Sequence, residues 1–234
     1  MSTNSTHSTH NQLSTLMAAA KRRVESTRGK LIFGFDATAS REPTWQRAIE
    51  LQREMFKATS SLEVQLAVFF GSDLQFSGWE SDPSVLQSLM SQIQCQAGST
   101  QIQRLLRHIM DENAKTPSRP VNAFVFIGDT FEESFAHNQI RALAKALGDL
   151  NIRGFFFLER GTSAWEREFS TKTESIYREL ATLSHGAYAD FDQSSAKFLA
   201  DLLASVAAFS AGGFAALANR DSEAARLLLT QMKK

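Results

Sequence analysis

The chain of 234 residues has little cysteine: Cys95 is the single one. One cysteine excludes an internal disulfide and a metal site built from several thiolates. This scarcity is typical of proteins from a reducing compartment. Residues 1–10 are polar and lack the apolar core of a signal peptide. We therefore expect a cytoplasmic protein.

Excess charge is also missing, because 25 basic residues balance 25 acidic ones and the formal net charge is zero. Surfaces that bind nucleic acid or anionic lipid are usually basic, so we expect neither as the main partner. We also expect no segment to insert into a membrane, which takes about 20 consecutive apolar residues.

Three common catalytic and nucleotide-binding motifs are absent as well. The sequence has no Gly-x-x-x-x-Gly-Lys run, no Gly-x-Gly-x-x-Gly and no Gly-x-Ser-x-Gly. These patterns mark the phosphate loops of nucleotide-binding proteins and the nucleophile of α/β-hydrolases. Function therefore has to be sought elsewhere in the chain.

What the sequence does contain is a regular alternation of apolar strands with amphipathic helices. Near-continuous apolar strands are typical of parallel sheets that are covered on both faces. A turn at 71–73 predicts one hairpin, whose second strand runs antiparallel. We predict an α/β, doubly wound, mostly parallel six-stranded sheet with one antiparallel edge strand and helices on both faces. The predicted strands are 31–36, 64–70, 74–79, 121–127, 152–158 and 186–191.

Composition divides the chain into four predicted segments. The pair Gly212-Gly213 interrupts the pattern and predicts a hinge before a last helix, 214–232. That helix either closes the core of its own domain or packs on another chain, as in a scaffold whose ends control assembly. The segments are a disordered polar tail (1–12), an N-terminal helix (13–28), the α/β domain (29–210) and a C-terminal helical extension (211–234).

Oxygen-bearing side chains follow the ends of the predicted strands. Asp36, Thr38 and Ser40 come after the first strand, Thr100 opens a later helix, and Asp129 follows the strand 121–127. In a doubly wound sheet, ligands bind beyond the carboxyl ends of the strands. A donor set of oxygens, without imidazole or thiolate, selects magnesium, manganese or calcium over zinc.

These five residues resemble the metal-ion-dependent adhesion site (MIDAS) of von Willebrand factor A (VWA) domains, and the chain resembles the bacterial intracellular type. Asp36, Thr38 and Ser40 match the Asp-x-Ser-x-Ser element of that family, with threonine in place of the first serine. Thr100 matches its lone threonine, and Asp129 matches its last aspartate. The chain departs from the pattern at Thr130, where the family usually has glycine.

The resemblance implies a fold, a metal and a partner. It implies a VWA domain in which Mg²⁺, or Mn²⁺ or Ca²⁺, is held by Asp36, Thr38, Ser40, Thr100 and Asp129. The open position of the metal would accept an Asp or Glu carboxylate from another protein. We therefore expect a non-enzymatic interaction module, an adaptor or scaffold whose partner is an ATPase or another component of a multi-protein complex.

Two further residues are predicted to contact that partner. Arg41 and Trp45 follow the metal loop directly, and arginine and aromatic residues dominate binding hot spots. Packing of Trp45 beneath the loop is the open alternative.

A phosphohydrolase similar to the haloacid dehalogenases is the alternative function. In that family Asp36 would be the nucleophile and Asp129 a magnesium ligand. The pattern there is Asp-x-Asp-x-Thr, and Thr38 stands where the second aspartate would act as general acid and base.

The segment after Asp129 predicts a helix. Residues 131–150 carry apolar side chains at helical spacing, among them Phe135 and Ile140, which we expect to face inward. Glu132 and Glu133 would then stabilise the positive end of that same helix.

Overall fold

The computed structural model describes residues 28–36, 62–70, 73–93, 99–161, 164–192 and 195–232. Several predictions fall outside these residues. They concern the polar tail, the N-terminal helix up to residue 27, Cys95, Thr38, Ser40, Arg41 and Trp45.

Six strands form one sheet in the order β3-β2-β1-β4-β5-β6. β3 pairs antiparallel with β2, and every other neighbouring pair is parallel. The central strands are buried along their whole length, as their near-continuous apolar sequence predicts. This confirms the predicted fold class. The strands are β1 (Gly29–Asp36), β2 (Leu62–Phe70), β3 (Asp73–Phe76), β4 (Ala123–Gly128), β5 (Arg153–Glu159) and β6 (Ala187–Phe191).

Helices cover both faces of the sheet, and two separate apolar clusters show this. Leu86 of one helix and Leu202 of another pack on the face that contains Phe33, whereas Leu105 and Ile140 pack on the face that contains Phe124. The described helices are α1 (Pro83–Ser91), α2 (Ile102–Lys115), α3 (His137–Asp149), α4 (Ala164–Leu183), α5 (Ala196–Ala218) and α6 (Glu223–Met232).

The predicted helix 131–150 is shorter than expected. A short 3₁₀ turn, Ser134–Ala136, precedes α3, which begins only at His137. Phe131 is buried, but Phe135 lies on the 3₁₀ turn with its side chain 86% exposed, so the expectation that it faces inward is wrong. Helical spacing counted from Phe131 fails here because the chain outside the helix does not follow the 3.6-residue period.

The segment after the glycine pair packs on the same domain. α5 is kinked at Gly212 and Gly213, and Gly213 has a φ of +65°, which only glycine adopts readily. Beyond the kink, Ala224 and Leu228 of α6 belong to the same apolar cluster as Leu202 of α5. The predicted helix 214–232 is interrupted, because residues 214–218 continue α5 beyond the kink and α6 begins only at Glu223. α6 closes the domain's own core.

One helix of the described chain, Lys197–Ala218, could cross a membrane by length and composition, with a mean hydropathy of 1.6. Its buried side chains Leu199, Leu202 and Val206 pack against the sheet. The core helix of a globular domain has the same apolar character. The absence of membrane insertion stays a prediction.

Candidate metal site at the carboxyl edge of the sheet

Asp36 ends the central strand β1 and is completely buried. The strand pairs on one side with β2, where Asp36 lies opposite Phe69, and on the other side with β4, where Phe35 lies opposite Ile127. Asp36 therefore lies at the middle of the edge where the parallel strands end, which we call the carboxyl edge.

Asp129 lies at the same edge, one residue beyond β4. Because β4 is the neighbour of β1 and runs parallel to it, the chain leaves both strands at the same end of the sheet. Asp129 is partly exposed, whereas Asp36 is buried. The two predicted carboxylate ligands therefore come from adjacent strand ends, as the doubly wound fold requires of a ligand site.

Thr100 is joined to the segment that follows Asp129 by two reciprocal hydrogen bonds. The backbone N–H of Thr100 donates to Glu132 Oε2 at 3.0 Å, and the backbone N–H of Glu132 donates to Thr100 Oγ1 at 3.2 Å. Thr100 is only 3% exposed. We call this pair of bonds the Thr100–Glu132 clamp. It brings the third predicted ligand against the loop of the second one.

Glu133 fixes the same two segments at a second point. Its carboxylate accepts the N–H of Ile102 at 2.5 Å and the N–H of Gln103 at 3.1 Å, at the start of α2. Glu133 is buried, and burial raises the pKa of its carboxyl; the charge of Glu132 raises it further, while the two N–H donors oppose the rise. The acidic pair thus serves α2 and Thr100, and the prediction that it stabilises its own helix is wrong.

Tyr177, a residue of α4, contacts the loop that contains Asp129. Its hydroxyl donates to the carbonyl oxygen of Thr130 at 2.8 Å, and the side chain is fully buried. A Cβ on Gly128 would lie 2.7 Å from that hydroxyl, so a larger residue there would displace it. Glycine before Asp129 is therefore required for the close approach of Tyr177.

Glu159 is a carboxylate at this edge that the motif did not reveal. It ends β5, the strand next to β4, and is 5% exposed. Leu158 lies opposite Gly128, so Glu159 is level with Asp129 along the two strands. The sequence does indicate this position, because an acidic residue ends an apolar strand in Phe-Phe-Phe-Leu-Glu.

Asp36, Thr100 and Asp129 therefore come to one edge, and Thr38 and Ser40 lie outside the described residues. Over the residues that the structure describes, no group of three or more His, Cys, Asp or Glu side chains is placed to hold a metal ion. A donor set with two carboxylates and several hydroxyls does not need such a group. Its chemistry fits a hard cation that keeps part of its water.

Comparison with solved structures identifies proteins with a similar fold. The chain resembles the pilus adhesin SpaC from Lactobacillus rhamnosus GG in its open conformation, with a TM-score of 0.57 and 12% identity over 77% of this chain and 30% of SpaC. The VWA domain of SpRpn10 matches with a TM-score of 0.52 and 9% identity, over 74% of this chain and 95% of that domain. The fold is VWA-like. The chain thus spans less than a third of SpaC but nearly all of the separate VWA domain.

A third VWA-like neighbour carries a metal. Proximal thread matrix protein 1 from the mussel byssus, solved with a zinc-occupied MIDAS motif, matches with a TM-score of 0.56 and 12% identity, over 77% of this chain and 46% of that one. Because the identities are this low, the comparisons show a shared VWA-like fold alone. They do not show whether this chain binds a metal. No protein-family model matches the chain, and no curated protein sequence matches it.

Proposed function

We propose that this VWA-like domain is a metal-dependent protein-interaction module. One observation carries the proposal: Asp36 and Asp129 leave adjacent parallel strands at the carboxyl edge, and the Thr100–Glu132 clamp holds the third predicted ligand there. The five predicted ligands are Asp36, Thr38, Ser40, Thr100 and Asp129.

The charge of such a site favours an acidic partner. Asp36 and Asp129 neutralise a divalent cation only where both bind it directly; where one of them acts through a water molecule, positive charge remains at the ion. Magnesium keeps waters that an incoming oxygen can replace. An Asp or Glu side chain of another protein supplies both the oxygen and the missing negative charge. In this proposal the ion bridges the two proteins, and the residues of this chain hold it at the sheet edge.

The solved neighbours support a binding role. SpaC is a pilus adhesin, and the mussel byssus protein has a MIDAS that accepts zinc. The oxygen-only donors of this chain favour Mg²⁺, with Mn²⁺ or Ca²⁺ as substitutes. We further propose a cytoplasmic bacterial adaptor or scaffold, with an ATPase or another complex component as partner.

The phosphohydrolase alternative needs a second carboxylate two residues after Asp36, where the sequence has Thr38. A threonine hydroxyl does not replace a carboxylate as general acid and base. We therefore propose binding rather than catalysis.

Calorimetric titration of the chain with Mg²⁺ and Mn²⁺ tests the proposal directly. We expect one site in the wild type and none in Asp36→Ala or in Asp129→Asn, which keeps the size of the side chain at a partly exposed position. Asp149→Ala is the matched control, because Asp149 is an exposed carboxylate at the end of α3, on the opposite edge. Equal metal binding by all variants, or metal-dependent hydrolysis of p-nitrophenyl phosphate, would contradict the proposal.

A further inference from the structure

The most exposed large apolar side chain of the described chain is Phe135. It is 86% exposed, whereas the next, Leu150, is 48% exposed. Most phenylalanines of the described strands are, by contrast, fully buried, such as Phe124 and Phe156. A phenylalanine held in water forfeits about 2 kcal/mol that burial would recover. Among the large apolar side chains that the structure describes, Phe135 therefore offers a partner the most accessible surface.

The turn that carries Phe135 is tied down on its N-terminal side. Glu132 is held by the Thr100–Glu132 clamp, and the buried Glu133 accepts two N–H groups of α2. The N–H of Ala136 donates to the carbonyl oxygen of Glu133 at 2.9 Å and closes the 3₁₀ turn. Because the backbone is already ordered, contact with Phe135 costs little further conformational entropy.

The same turn lies beside the candidate metal site. Glu132 N is 3.2 Å from Thr100 Oγ1. Three residues of chain span at most about 11 Å, which limits the distance from the Cα of Glu132 to that of Phe135. An extended peptide covers this distance with about three to five residues.

We propose that Phe135 is the apolar anchor of the partner-binding surface, and that the partner is an extended segment with an Asp or Glu and an apolar side chain within about five residues of each other. The inference rests on the proposed function: the carboxylate complements the charge of the bound cation, and the apolar side chain covers the phenyl ring. Aromatic side chains at the centre of an interface are frequent hot spots.

A phage-displayed library of random dodecapeptides, selected on the full chain in Mg²⁺, provides the probe. We expect enriched peptides to pair an acidic residue with an apolar one at that spacing, and to lose binding in EDTA or with Asp36→Ala. Phe135→Ser should weaken the binding of a selected peptide at least tenfold, and Phe135→Leu should weaken it less. Leu150→Ser is the matched control, an exposed apolar residue at the opposite end of α3, and should leave affinity within twofold.

The two proposals fail in different ways. Peptides that bind with Mg²⁺ and need Asp36, but tolerate Phe135→Ser as well as Leu150→Ser, would overturn the anchor and leave the metal-dependent module standing. Peptides that bind equally in EDTA and to Asp36→Ala would overturn the proposed function, and the anchor with it. Unchanged thermal unfolding of Phe135→Ser, expected for a side chain in solvent, shows that a loss of affinity is local.

Discussion

Thr100 and Glu132 hold each other by two hydrogen bonds, each from the backbone N–H of one residue to the side chain of the other. They lie on different segments, before α2 and between β4 and α3. The Thr100 hydroxyl accepts one of these bonds, which orients its remaining lone pair. A candidate ligand from one loop is thus positioned by a residue of another.

Replacement of Glu132 tests this positioning. Glu132→Ala removes the acceptor of the Thr100 N–H but keeps the backbone donor, and we expect Mg²⁺ binding to weaken by about three- to tenfold, equivalent to about 1 kcal/mol for one hydrogen bond. Glu132→Gln keeps an acceptor oxygen and should bind Mg²⁺ nearly as the wild type does. Calorimetric titration measures both. Equal loss in the two variants would instead indicate that the charge of Glu132 matters.

The architecture was predictable because the apolar composition of the strands indicates that they are buried on both faces. β4 and residues 31–35 of β1 are unbroken apolar runs, and such runs are buried on both faces of a parallel sheet. The predicted order of strands and helices followed from the same alternation. The hairpin was marked by the polar turn before Asp73, and it supplies the antiparallel edge strand.

The segment after Asp129 was not predictable, because its structure depends on a partner distant in sequence. Glu132 and Glu133 look like the acidic first turn of a helix, a pattern that local propensity favours. Their carboxylates instead bond to residues about 30 positions earlier, Thr100 and Ile102. Spacing along the chain carries no signal for such a contact. The exposure of Phe135 follows from it and was missed for the same reason.

Glu133 should be important for stability. Glu133→Ala leaves the N–H groups of Ile102 and Gln103 without their acceptor at the buried start of α2, and we expect a loss of about 1–2 kcal/mol in the free energy of unfolding. Urea denaturation measures it. Glu223→Ala is the control, because Glu223 is exposed in the first turn of α6; it should cost less than about 0.5 kcal/mol. Similar losses in both variants would contradict a specific capping role.

Tyr177→Phe should loosen the Asp129 loop without disturbing the core. The ring stays buried beside Phe126, but the carbonyl oxygen of Thr130 loses its hydroxyl donor. We expect a loss of about 1 kcal/mol in the free energy of unfolding, and weaker Mg²⁺ binding since Asp129 is the neighbour of Thr130. Gly128→Ala, which forces a Cβ toward the same hydroxyl, should show both effects. If Mg²⁺ binding is unchanged in both variants, the position of the Asp129 loop does not affect the metal site.

His108 lies away from the candidate site and should make the protein less stable in mild acid. Its ring stacks on Phe76, with centroids 3.4 Å apart, and Nε2 lies 2.7 Å from Gln65 Oε1. Gln65 Nε2 donates to the carbonyl oxygen of Ser77, so Oε1 is left to accept and His108 Nε2 carries the proton. Burial lowers the pKa of His108 below its ordinary 6.5; Lys115 lowers it further, while Glu112 and Asp111 raise it.

With the pKa lowered in the folded state, the unfolded chain binds more protons than the native protein as the pH falls through about 6.5. The free energy of unfolding should therefore be highest above that pH and decrease from pH 7.5 to 5.5. His108→Gln keeps an amide near Gln65 but cannot titrate, so its stability should depend less on pH over this interval, although its stability at pH 7.5 is lower. Urea denaturation at several pH values measures the two slopes. A wild type and a variant with the same slope would show that His108 does not drive this pH dependence.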